Sequence, residues 1–86
     1  MDIIKVKAVS RTAAVAGAIA GVMRDHNHAE VQAIGAGAVN QAVKAMVLAK
    51  NFLAQDDIDV VFTPEFVNVE IDGKMRTAIK FVVDPK

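Results

Sequence analysis

The chain has 86 residues, ten basic and ten acidic side chains, a formal net charge of zero, 53% hydrophobic content and no cysteine. Without cysteine there is no disulfide scaffold, thiolate nucleophile or cysteine zinc site, and a zero balance argues against tight, sequence-blind coating of DNA. A chain this short makes one domain, residues 1–86, and buries only roughly 60–65% of its unfolded surface, so its apolar excess points to a homo-oligomer, a dimer or tetramer.

Asp2 to Val9 alternates, with Ile4, Val6 and Ala8 on one face and Lys5 and Lys7 on the other, the pattern of a half-buried strand. Ser10 precedes a helical run and is the expected N-cap of a helix from Arg11 to Asp25. Ala14, Gly17, Ala18 and Gly21 form a stripe of small side chains on it, read as the face that packs closely against a sheet or another helix. His26-Asn27-His28 ends the helix. Ala29 to Gly35 reads as a second strand with Val31 and Ala33 inward.

Gly35-Ala36-Gly37 breaks the chain before a second helix from Ala38, whose apolar face is Val39, Ala42, Val43, Met46, Ala49 and Leu53. Gln55-Asp56-Asp57 closes it. Ile58, Val60 and Phe62 then alternate, Pro64 is expected to interrupt the ladder on a bent or edge strand, and Val67, Val69 and Ile71 alternate again. Asp72-Gly73 signals a two-residue hairpin leading to a last strand, Thr77 to Val83, ended by Pro85. All four phenylalanines fit the core pattern. The order β-α-β-α-β-β predicts an α/β fold of the α+β sandwich kind, two helices on one face of a four-stranded mixed sheet.

The amino terminus lacks the charged-then-apolar order of a signal peptide. The longest apolar run, Ala13 to Met23, falls short of the roughly 20 residues that span a bilayer. A cytoplasmic protein with no membrane partner is expected.

Enzyme chemistry is thin: Ser10 is the only serine and the carboxylates form no evident pair, so the chain is read as a binder rather than an enzyme. Gly35-Ala36-Gly37 at a helix start can present amides to an anion, but lacks the third glycine or the Lys-Ser/Thr of nucleotide loops. His26 and His28 are the candidate metal ligands. Two histidines fall short of a structural or catalytic set, so no cofactor is expected and any zinc would be adventitious or subunit-bridging. Lys5, Lys7, Arg11, Lys44, Lys74, Arg76 and Lys80 are the cations that a shared face could collect.

Val15-Ala16-Gly17-Ala18-Ile19-Ala20-Gly21-Val22, the block from Glu30 to Ala45, and Ile71-Asp72-Gly73 with Arg76 to Lys80 resemble the stage V sporulation protein S family. The resemblance implies an Alba-like fold, self-assembly and a role in spore development. Alba proteins bind DNA and RNA through segments that correspond here to Ser10-Arg11, Gly35 to Lys44 and Asp72 to Arg76. Where the Alba pattern carries arginines and a lysine, this chain has Gly35, Ala36, Gly37 and Gln41, all uncharged.

The reading is therefore a weak nucleic-acid-binding regulator. Arg11, Lys44, Lys74 and Arg76 meet phosphates, Gly35 and Gly37 let backbone approach, and Asn40 and Gln41 add polar contacts. The alternative is a protein-interaction module of a developmental assembly.

Overall fold

The alternating and helical patterns resolve, in a computed structural model that describes residues 3–86, into β1 (Ile4–Val6), α1 (Thr12–His26), β2 (Ala29–Ala33), α2 (Ala36–Ala54), β3 (Val60–Ile71) and β4 (Lys74–Pro85). The sheet order is β1-β2-β4-β3, with β1 parallel to β2 and the other neighbours antiparallel. This is the expected α+β arrangement with β-α-β-α-β-β order.

Burial explains the layering. Val6, Val31, Ala33, Phe81 and Val83 point from the sheet into one core with Val15, Ala16, Ile19, Ala20 and Met23 of α1 and Ala38, Ala42, Ala45, Met46, Ala49 and Leu53 of α2. Alanine dominates the helix faces, so two helices fit over a small sheet with their backbones close. The largest fully buried side chains are Ile19, Met23, Leu53, Val31 and Val83, each contributing about 1.5–3 kcal/mol of transfer energy.

Several expectations are corrected. The Ala14, Gly17, Ala18 and Gly21 stripe is not packed: the first three are exposed, and a Cβ added at Gly17 or Gly21 would meet no atom of another element within 4 Å. The adjacent stripe is buried instead, because Val15, Ile19 and Met23 remove more apolar area from water than glycine and alanine do. Ser10 is not the N-cap. Its hydroxyl accepts the Lys7 N–H at 2.8 Å and its own N–H donates to the Lys7 carbonyl at 3.0 Å, closing the turn after β1, so Arg11 takes the cap position with no side-chain bond.

β3 runs unbroken through Pro64, paired with Phe81, because β3 is an edge strand and has one side free for a residue without an N–H. Phe66 on that edge is 77% exposed and does not join the core. α2 begins at Ala36, two residues earlier than its periodicity indicates.

The β2–β4 pairing ends at Ala33↔Ile79, while β3–β4 continues to Ile71↔Lys74. The residues beyond form a two-stranded arm of roughly 17 Å at about 3.4 Å per residue. Asp72 (φ 52°) and Gly73 (φ 78°) turn its tip, both with the positive φ expected of that dipeptide.

Candidate nucleic-acid interface

Strand direction decides what meets what. Because β1 and β2 are parallel and each is followed by a helix, both helices start at the same edge of the sheet. Because β4 runs antiparallel to β2, its first residues overhang that same edge, and with them the arm. Val69, Glu70 and Ile71 of the arm line one groove of about 530 Å³ with Lys5, Lys7 and Ala8, so the arm leans toward the β1–α1 turn.

The two helix starts are tied together. Gln41, in the second turn of α2, donates its amide to the Ser10 carbonyl at 2.8 Å and reaches Thr12 Oγ1 at 3.4 Å. Ala8 also lies against Gly37, where a Cβ would meet the Ala8 Cβ at 2.9 Å. Gly35 takes φ 88° and ψ 157°, a conformation that is essentially glycine's alone. Neither helix has a side-chain cap or an acidic residue in its first turn. Two sets of free amides and two positive dipole ends therefore face outward at this edge.

Charge follows the same axis. Lys7, Arg11, Lys44, Lys74 and Arg76 are exposed and take part in no ion pair among the described residues. Glu70 and Asp72 on the arm are the acids nearest this edge in the chain's topology. Asp25 and Asp84 lie near the ends of α1 and β4, and Asp56, Asp57 and Asp59 follow α2, at the opposite pole, where Arg24, Lys50 and Lys86 also stand. The zero net charge thus conceals a partial segregation, with cations in excess at the helix starts and acids in excess at the other pole.

The family model of Stage V sporulation protein S (SpoVS) matches residues 2–86. The chain belongs to the stage V sporulation protein S family. That membership gives it a sporulation-related role.

Within the block from Glu30 to Ala45, the structure gives several residues internal duties. Gln41 is half-buried and its amide is committed to the first helix, Gly37 makes a close approach and Gly35 a turn. Asn40 and Lys44 are exposed, and neither takes part in a hydrogen bond among the described side chains. Arg11 stands at the start of α1, and Lys74 and Arg76 on the arm. Lys7, which motif reasoning left out of the site, joins them through the turn that Ser10 closes.

Lys80 leaves the set: its ammonium lies 3.2 Å from Glu65 and 3.6 Å from Glu30 on the sheet face away from the helices. Those contacts raise its pKa, Glu65 being the main cause. Replacing Gln41 by Ala should cost about 1 kcal/mol, because the Ser10 carbonyl loses a half-buried donor. Urea unfolding with an unchanged slope checks this.

The histidines part company. Both ring nitrogens of His28 face carboxylates, Nδ1 at 2.6 Å from Asp84 Oδ1 and Nε2 at 3.1 Å from Glu30 Oε2. His26 is exposed in the last turn of α1. Among the described residues no group of three or more His, Asp or Glu is arranged to hold a metal ion, so the His26–His28 pairing finds no third ligand. No helix among the described residues is long and apolar enough to cross a membrane.

Proposed function

We propose that this chain acts by binding nucleic acid rather than by catalysis, as a weak, salt-sensitive regulatory module. The observation that carries this is the arrangement at one edge of two uncapped helix starts with Lys7, Arg11 and the arm's Lys74 and Arg76, followed midway along α2 by Lys44, none of them neutralised within the described residues. Helix N-termini and unpaired cations are the groups that hold phosphate oxygens. Asn40 adds a free amide, and the arm gives reach beyond the body. Exposed Val47, Phe66 and Met75, at 60%, 77% and 65%, support self-association of the module into a dimer or tetramer.

Affinity measured against salt, on duplex and single-stranded DNA and RNA, tests the reading. The log–log slope is expected to be clearly negative, at about −0.9 per duplex phosphate or about −0.7 per single-strand phosphate. Arg11→Glu and Arg76→Glu should each weaken binding at all sequences and flatten the slope by about one, while Lys50→Glu, toward the other end of α2, should change little. A flat slope, or no binding at low salt, overturns it.

The second reading, a protein-docking module, is favoured by the exposed small-residue stripe of α1 and by Val43 and Val47 on the outside of α2. The same titration separates the two, since a protein-docking module gives no response to either polymer.

A further inference from the structure

We propose that His28 is a proton-operated clamp on the sheet, gripping Glu30 of β2 and Asp84 of β4 at once when its imidazole carries two protons and releasing one of them when it carries one. The geometry leaves little freedom. A carboxylate only accepts, so contacts of 2.6 Å from Nδ1 to Asp84 and 3.1 Å from Nε2 to Glu30 are both hydrogen bonds only if both ring nitrogens donate. A neutral ring has one N–H. Its other nitrogen would turn a lone pair toward a carboxylate oxygen, which is repulsive. The closed clamp therefore selects the imidazolium.

The surroundings reinforce that selection. From β2, Glu30 offers one oxygen to His28 and the other to Lys80 of β4, and Lys80 is shared with Glu65 of β3. From β4, Asp84 meets the other side of the ring. From α1, Arg24 is engaged by Asp56 at 2.7 Å, and no hydrogen bond links His26 to the ring. Among the described residues His28 thus faces two carboxylates and no cation directly. Accordingly its pKa is raised above 6.5, Asp84 being the main cause and Glu30 the next, while the Glu30 carboxyl is lowered below 4.5, chiefly by His28.

The signs fix the window. A raised histidine contributes stability that is fully present below 6.5 and lost as pH rises through its folded value; a lowered glutamate contributes stability present above 4.5 and lost on acidification through its folded value. The clamp is tightest between those bounds and opens as pH rises through the folded value of His28, above 6.5. The ring is one-third exposed, so protons reach it without unfolding. What it fastens is local: the turn between α1 and β2, and the end of β4, where Ala29 pairs with Val83.

The test is the denaturation midpoint between pH 5.5 and 8.5 for the wild type, His28→Gln, Asp84→Asn and His26→Gln, with an NMR titration of the wild-type histidine rings. Expected are a wild-type midpoint that falls as pH rises above 6.5, the same fall in His26→Gln, and loss of most of it in the two clamp variants, which converge with the wild type at the alkaline end. The His28 ring should titrate above 6.5, with Val82 to Asp84 amides following it. An equal slope in clamp variants and wild type, or a His28 ring that titrates at or below 6.5, overturns the proposal. If a clamp variant does not fold, the wild-type ring titration decides alone.

Discussion

Leu53→Ala is expected to destabilise the fold by about 2–5 kcal/mol, toward the upper part of that range. Leu53 is fully buried near the end of α2, and its carbonyl also accepts the Ile58 N–H at 3.0 Å as the chain turns toward β3. On the α2 core face the residue one turn before it is Ala49, with Ala45 and Met46 a turn further back. Short side chains fixed to backbone cannot move in to fill a hole, so the cavity stays open. Against a total of about 5–15 kcal/mol for a domain, that is a large fraction. Urea unfolding at constant slope should show it, and Leu48→Ala, only half-buried on the same helix, should lose clearly less. Equal losses would mean that the alanine core relaxes.

Gly35→Ala should cost about 1–3 kcal/mol through backbone alone. At φ 88° and ψ 157° an L side chain is strained, yet no atom lies within 4 Å of where the new Cβ would sit. Steric contact therefore contributes nothing, and the loss measures the backbone conformation by itself. Gly35 also sets the direction in which α2 begins. Relief of the strain would tilt the first amides of that helix, so under the proposed function nucleic-acid affinity should fall along with stability. A variant as stable as the wild type would show that the turn has another conformation within reach.

Much of this was legible before any coordinates. Strict alternation in Val31 and Ala33 placed β2, Asp72-Gly73 placed the arm's turn, and the block from Glu30 to Ala45 carried much of the family resemblance. The faces of α1 were not legible, because nearly every residue from Ala13 to Met23 is small or apolar and two stripes compete. Side-chain area settles that contest, and periodicity alone does not weigh area. Ser10 had two partners open to it, the following helix or the preceding turn, and the turn three residues back won.

The candidate site was half legible. Its cations could be named singly, but their gathering depends on strand direction: reversing β4 would put Lys74 and Arg76 at the acidic pole. Gln41 looked like a ligand contact because its partner, Ser10, is 31 residues away. The pairing of His28 with Asp84, 56 residues apart, is hidden for the same reason.

Pro64 sits near the middle of the 12-residue edge strand β3, in unbroken register with Phe81. Its ring must then occupy the outward side, where every other residue in its position would offer an N–H to a visiting strand. A long exposed edge with Val61, Phe66 and Ile71 on it invites strand after strand to add. The proline divides that edge into two short stretches, neither able to template a full-length partner. Growth of an open fibre along β3 is thereby discouraged.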